Sequence, residues 1–514
     1  MRSHKTKLDA TSKLSRRAFL RAGVVTAAGV PFLRTSRAHA ASRPNILLVF
    51  PDQLRYDWTG LNPEVSVRTP NLVRLAEEGA RFDMAFCPSP VCAASRACLA
   101  TGMQYGRTGV RGNEDNLPDD STTVYALLKN AGYRVGSTGK LDLRKAAHDW
   151  GPDGMHRVNG KEYFRHWGFT DGLDSEGKGD TLRGIRTREG SGETYGDSPY
   201  TKMLTDRNDA SLKTYLDWWE ARRKCALPVN NYSFTTPVHL ADEAYNDNWV
   251  GQNALNLIEN YPKDSPWFLQ VNFPGPHAPM DITESMASLY KDASFGQPFK
   301  NDQLPAELHT AIRRNYSAMV ENIDRWLGRY LATLDKRAEL DNTIVVFSSD
   351  HGEMLGDHNR WAKTVPYQPS SAVPLVVRGP GVKRGSRQRG PAATLDLTAT
   401  FLDYAGVASP SKLDSQTLRP LLEGNTSAGR THVTSGLHEW RMVCDGRYKL
   451  VRGFDASKPD KQSDDAKNNG KPDDSAMNES LLLFDLDRDP DEGSDSSKEQ
   501  PELLERMSKM LPDS

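Results

Sequence analysis

Nowhere does the 514-residue chain hold an apolar run near the roughly 20 residues a membrane-crossing helix needs, so no membrane span is expected. Cysteine is scarce. Cys87, Cys92, Cys98, Cys225 and Cys444 are the five, an odd number without the paired spacing of a zinc site. At most two disulfides can form, which leaves one sulfur over. Excess charge is also missing, with 66 basic against 67 acidic residues. Such a chain does not attract polyanions broadly, so no nucleic-acid partner is expected. Any anionic ligand must instead be held by a local group of cations. There is no internal repeat.

The length is ample for a large core plus a smaller appended unit, since single cores stop growing near roughly 250–300 residues. The first 40 residues differ in kind. Ser15-Arg16-Arg17-Ala18-Phe19-Leu20-Arg21 precedes a mildly apolar stretch from Ala22 to Leu33 and then Ala38-His39-Ala40, a small-residue cleavage pattern. Residues 1–40 resemble a twin-arginine export signal, a Sec signal with paired arginines or a basic disordered tail being the other readings. The resemblance implies the twin-arginine machinery as a partner and a periplasmic or extracellular destination in a bacterium. Without residues 1–40 the balance is 57 basic against 66 acidic residues, a net charge of −9.

Asn45 to Phe50 is a continuous apolar run ending in Pro51-Asp52-Gln53, the pattern of a fully buried strand that delivers polar groups at its carboxyl end. Thr69-Pro70-Asn71 opens a helix that Gly79 closes, Thr123 to Asn130 is a second helix, and Tyr133 to Thr138 a second strand. The alternation continues through a strand at Trp267 to Phe273, an amphipathic helix at Ala311 to Asp335 and a strand at Thr343 to Ser349. This predicts an α/β fold with a large, mostly parallel central sheet flanked by helices. Asp171 to Ser198 reads as a surface insertion, and Asp455 to Ser480 as a mobile loop. Arg441 to Val451 reads as a hairpin around Asp445-Gly446, followed by a strand at Leu481 to Asp485 and a helix at Pro501 to Met510. These form a smaller C-terminal antiparallel subdomain. The predicted organisation is 1–40 signal, 41–438 catalytic domain and 439–514 C-terminal subdomain.

Ligand-binding groups in α/β sheets collect beyond the carboxyl ends of strands, where Asp52 and Asp350 both fall. Singly, each acid reads as a helix cap or turn former. Together, with Gln53 and His351 beside them, they offer the hard donors that suit Ca²⁺ or Mg²⁺. Cys92-Ala93-Ala94-Ser95-Arg96, running on to Leu99-Ala100-Thr101-Gly102, is the densest motif. A lone cysteine is ordinarily an inert buried residue.

In this combination the motif resembles the signature of the sulfatase family, of the alkaline phosphatase-like superfamily, in which a maturase oxidises the cysteine to formylglycine. The likeness extends in order along residues 43 to 490. Asp52 resembles the first metal ligand, and Gly139-Lys140 the motif whose lysine meets sulfate. His277, in Pro276-His277-Ala278-Pro279, resembles the sulfate-contacting histidine. Asp350-His351-Gly352-Glu353 matches the second metal strand, and Trp361-Ala362-Lys363 the second lysine. The resemblance implies sulfate ester hydrolysis on a bound Ca²⁺ (Mg²⁺ being possible), with a hydrated aldehyde at position 92 attacking sulfur. Lys140, His277 and Lys363 then hold the sulfate oxygens, and Arg96, one helical turn on, binds the diol. A sulfated sugar is the expected substrate, with Trp218, Trp219, Trp249 and Trp361 as candidate stacking residues.

Two departures from the family pattern stand out. Ala94 occupies a place where many members carry proline, which implies the radical-type maturase as a partner. Asp142 occupies a place where many carry histidine, so either Asp142 or His148 is the base that expels sulfate. Alternatives are a phosphonate or phosphate ester hydrolase on the same scaffold, an inactive carbohydrate-binding relative, or an enzyme using the Cys92 thiol directly.

Overall fold

The computed structural model describes residues 43–207, 209–425, 427–458 and 480–512. The expected export signal, and the expected mobile loop apart from 455–458 and 480, lie outside the described residues. In chain order the strands are β1 (Asn45–Val49), β2 (Ala80–Phe86), β3 (Arg134–Gly139), β4 (Asp171–Gly172), β5 (Ile185–Thr187), β6 (Thr194–Gly196), β7 (Trp267–Asn272), β8 (Thr343–Phe347), β9 (Leu375–Arg378), β10 (Ser386–Ala393), β11 (Val433–Leu437), β12 (Trp440–Cys444), β13 (Tyr448–Arg452) and β14 (Leu481–Asp485). Eight of them make one sheet in the order β10-β2-β9-β8-β1-β7-β3-β4. Neighbours are parallel except that β9 runs against both β8 and β2.

β1 lies at the middle of this sheet, and all five of its residues are buried. Because strand side chains alternate, Ile46 and Leu48 enter one apolar layer and Leu47 and Val49 the other. The first layer is covered by the helices Cys92–Thr101, Val124–Asn130 and Asp396–Tyr404, the second by Pro70–Glu77, Asn246–Asn260 and Ala306–Lys336. Covering on both faces is why the strand reads as an unbroken apolar run, each such side chain contributing about 1.5–3 kcal/mol on burial.

The helix after Thr123 starts where expected, its hydroxyl accepting the Ala126 N–H at 3.1 Å. The long helix begins at Ala306, not Ala311, because Pro305 at its N-cap sets the entry and Glu307 occupies the first turn. Strands β11 to β14 form a four-stranded antiparallel sheet. The Asp445-Gly446 turn joins β12 to β13, with Gly446 at φ 100° and the Asp445 carboxylate accepting from Arg447 N and Tyr448 N. Met507 of the helix Pro501–Ser508 packs against this sheet.

Two expectations are corrected. The 171–198 segment is not simply a surface insertion, since Asp174, Ser175, Glu176 and Lys178 are buried. They are drawn in by polar contacts, Asp174 accepting from Leu141 N (3.1 Å) and Lys178 Nζ lying 2.7 Å from Asp281 Oδ1. Of the candidate stacking tryptophans, Trp218, Trp219 and Trp361 are core residues and Trp249 is partly buried. Trp218 and Trp219 are buried with Tyr200 and Tyr215, Trp249 packs against them, and Trp361 is buried against Tyr232. All five cysteines are free. Among the described residues, no helix is long and apolar enough to cross a membrane.

Candidate active site

β1 and β8 are parallel neighbours, with Val49 paired to Phe347. Their carboxyl ends therefore deliver Asp52 and Asp350 to one place, and Cys92 meets them there as the first residue of its helix. Two residues of that helix lock it to the end of β8. Ser95 Oγ donates to the Asp350 carbonyl at 2.6 Å, and Arg96 Nε donates to Asp350 Oδ2 at 2.9 Å. The other Asp350 oxygen accepts from the backbone N–H groups of Gln53 (3.0 Å) and His351 (2.9 Å).

The Cys92 sulfur sits 3.7 and 3.9 Å from the Asp52 oxygens, 3.2 Å from His351 Nε2 and 3.4 Å from Lys140 Nζ. His351 Nδ1 faces the Gly352 carbonyl at 3.0 Å, which turns Nε2 toward both carboxylates, 3.6 Å from each. Lys140 reaches Asp52 from the end of β3, with its ammonium also 3.3 Å from Asp142. Gly139, just before it, is at φ 89° and so close to β7 that an added Cβ would lie 2.1 Å from the Asn272 carbonyl oxygen. Gly177 of the 171–198 segment closes over the Lys140 stem, where a Cβ would meet Cε at 2.6 Å.

Lys363 and His277 stand together across the site. Lys363 Nζ donates to Gln53 Oε1 at 2.6 Å and lies 2.7 Å from His277 Nε2, while His277 Nδ1 faces the Ala278 carbonyl. The Gln53 side chain thus points to Lys363 on one side and to Tyr232 (3.2 Å) and Glu353 on the other. Asp142, at φ 58°, has one oxygen 3.3 Å from Lys140 Nζ and 3.2 Å from Lys145 Nζ. Its other oxygen is buried without a hydrogen-bond partner among the described residues. His148 is half-buried, with Nδ1 3.4 Å from Asp180 and its ring against Trp150. Asp142 therefore joins the cluster directly, and His148 adjoins it through Asp180, which also lies 3.8 Å from Lys145.

The electrostatics follow from packing charge into a dry pit. Burial and Asp52 oppose ionisation of the Cys92 thiol, yet Lys140, Lys363 and Lys145 outweigh them and hold it well below its ordinary value. Burial also works against the charge on Asp52, but Lys140, His277, Arg96 and His351 keep it ionised. Asp142 is likewise carried down to about 2 by Lys140 and Lys145 against the effect of burial. Asp350 moves the other way, since burial and the nearby Asp52 push it up against the pull of Arg96.

Ligand atoms of Asp52, Cys92, Asp350 and His351 lie within 4.8 Å of one another. Two buried carboxylates that repel and an imidazole nitrogen turned toward them form a donor set that fits a divalent cation. Around that set, three ammonium groups and an imidazole can hold an anion.

Several residues of the site were absent from the sequence reading. Asn272 Oδ1 accepts from Arg96 Nη1 at 2.9 Å, and its place at the carboxyl end of a buried strand was a usable signal. Lys145 lies three residues beyond Asp142, but nothing in its surroundings singled it out. Tyr232, which donates to Glu353 at 2.8 Å, carried no signal at all.

The sulfatase family model matches residues 44–407. The arylsulfatase of Clostridium perfringens is 27% identical over 422 residues, covering 76% of this chain and 81% of that protein. The N-acetylglucosamine-6-O-sulfatase of Bacteroides thetaiotaomicron is 27% identical over 423 residues, covering 75% and 72%. Among solved structures, the phosphonate monoester hydrolase of Agrobacterium radiobacter superimposes with a TM-score of 0.67 at 22% identity, over 91% of this chain and 95% of that one. At that identity the likeness is one of fold.

Proposed function

The chain belongs to the sulfatase family, enzymes that hydrolyse sulfate esters, and from that premise we propose that it cleaves a sulfate ester of a carbohydrate with a hydrated aldehyde made from Cys92. The observation that carries this reading is the placement of the Cys92 sulfur between the Asp52, Asp350 and His351 donors and the ammonium of Lys140. Conversion turns the thiol-bearing carbon and one water into an aldehyde and hydrogen sulfide. Two electrons and two protons pass to a maturase, which Ala94 suggests is of the radical type. Export through the twin-arginine route fits such a protein, because that route carries chains already folded and modified.

Asp52, Asp350 and His351 would hold a divalent cation, Ca²⁺ or Mg²⁺. Gln53, whose amide oxygen now faces Lys363, would join them by changing partner. When bound, such a cation offsets the paired carboxylates and favours ionisation of a neighbouring hydroxyl.

The rest is the work of the chain. Lys140, Lys363 and His277 hold the sulfate oxygens, and Arg96 and Lys140 stabilise the nucleophilic oxygen. One hydroxyl of the diol, as its alkoxide, forms a bond to sulfur while the bond from sulfur to the sugar oxygen breaks. The leaving oxygen takes a proton from the Lys363–His277 pair. The second hydroxyl then passes its proton to Asp142, the bond from carbon to the sulfate oxygen breaks, sulfate departs and the aldehyde is restored. Asp142 is favoured over His148 for this step because its unpartnered oxygen lies within the cluster.

The test joins two measurements on protein from its native host. Mass analysis of the peptide spanning Cys92 is expected to find the aldehyde, and an intact thiol would overturn the mechanism. Turnover of 4-nitrophenyl sulfate is expected to exceed that of a phenylphosphonate ester, and a strong preference for the phosphonate would replace the substrate class.

A further inference from the structure

Lys363 sits on a backbone in an uncommon conformation. Ala362 and Thr364, on either side of it, have φ of 62° and 82°, in the left-handed region where a β-branched threonine is seldom found. Such a conformation persists only where the surroundings over-determine it, and it tends to mark a site of function. Part of the restraint comes from the catalytic sheet, as Thr364 N donates to the Pro90 carbonyl at 3.1 Å and Ala362 N to Glu353 Oε1 at 2.8 Å.

The remaining restraint comes from the C-terminal region. Trp440 Nε1 on β12 donates to the Thr364 carbonyl at 3.0 Å, and Lys449 Nζ on β13 donates to the Pro366 carbonyl at 2.8 Å. Lys449 is also paired with Glu492, both side chains being wholly buried, and Glu492 Oε2 accepts from Gln368 N at 2.5 Å. Three side chains from beyond residue 438 thus grip the run 364–368 directly after Lys363. A buried ion pair is poor evidence of stabilisation for its own sake. Here both partners also hold the backbone of this one loop.

We infer that Trp440, Lys449 and Glu492 are positioning residues that set the Lys363 ammonium on the sulfate group of the substrate, so that the C-terminal sheet is part of the anion-binding apparatus. The inference rests on the reading of Lys363 as a sulfate contact. It makes an adjunct of the small sheet only in the sense of topology, since the catalytic loop takes its shape from both sheets.

The test compares Trp440→Phe, the paired change K449M/E492Q and Lys363→Ala with the parent, all as full chains carrying the converted residue 92. Trp440→Phe keeps an aromatic ring but removes the indole N–H together with the pyrrole half of a buried side chain. It is expected to lower the thermal midpoint through lost packing, and in addition to raise KM for 4-nitrophenyl sulfate and the inhibition constant for inorganic sulfate in parallel by about three- to tenfold, the effect of one lost hydrogen bond. K449M/E492Q is expected to raise both constants at least as far. A merely structural role would lower the midpoint or the active fraction and leave both constants alone. If Lys363→Ala raises the constants while Trp440→Phe leaves them within twofold, the positioning inference fails. If Lys363→Ala itself leaves them unchanged, the sulfate reading of Lys363 fails. Should the paired variant not fold, Trp440→Phe decides.

Discussion

Cys92 and Cys98 lie on one helix, at its first and seventh residues, both wholly excluded from water, yet their surroundings push them in opposite directions. Burial raises the Cys98 thiol well above its ordinary value, because around it are the side chains of the apolar layer. Cys92 meets the same desolvation but stands where β1, β3 and β8 end, with Lys140 at 3.4 Å and its thiol carried down. Burial alone makes a cysteine inert. Burial beside several fixed ammonium groups makes it a place where an anionic atom is stable.

The sharpest way to break this contrast is Cys92→Ala, which is expected to lower kcat/KM on 4-nitrophenyl sulfate by about 10⁴-fold or more while the protein stays folded by circular dichroism. Lys140→Met tests whether cations distinguish that end of the helix. It removes a fixed donor from the nucleophile and is expected to cost about 10²–10³-fold in the same quantity.

Cation removal comes next. A chelator is expected to lower both activity and the unfolding midpoint, and adding the cation back at about 100 times its dissociation constant restores about 2.7 kcal/mol of stability. An unchanged midpoint by calorimetry would mean that the Asp52–Asp350 pair holds no resident ion. The smallest effect belongs to Cys98→Ala, expected to cost about 1–2 kcal/mol in denaturant unfolding with kcat within about twofold of the parent. A large loss of kcat there would erase the distinction between the two cysteines.

Much of the architecture was legible because it rests on local pattern. The unbroken apolar run at residues 45–50 marks a strand covered on both faces, Thr123 marks a helix start, and Asp445-Gly446 marks a hairpin. The tryptophans were harder to place, since an aromatic ring reads alike whether it lines a groove or fills a core. Trp218 and Trp219 proved to be core. The 171–198 segment is polar and glycine-rich as loops are, but the sequence does not reveal that Asp174 and Lys178 find partners at Leu141 and Asp281.

The motif around Cys92 and its companions at Asp52, Lys140, His277, Asp350 and Lys363 could be picked out from the sequence because their order along the chain resembles the sulfatase pattern, and the structure brings them together. The sequence equally implied that any anionic ligand would have to be held by local cations, given the chain's lack of excess positive charge. What only the tertiary structure decided is how these residues meet. β1 lies between β7 and β8, each more than 200 residues away along the chain, so the gathering of their carboxyl ends depends on long-range strand pairing that no local periodicity encodes. The same holds for Asn272 under Arg96 and for the grip of Trp440 and Lys449 on the loop after Lys363. Each is a contact between segments whose sequences carry no mark of the other, fixed only when the chain has packed.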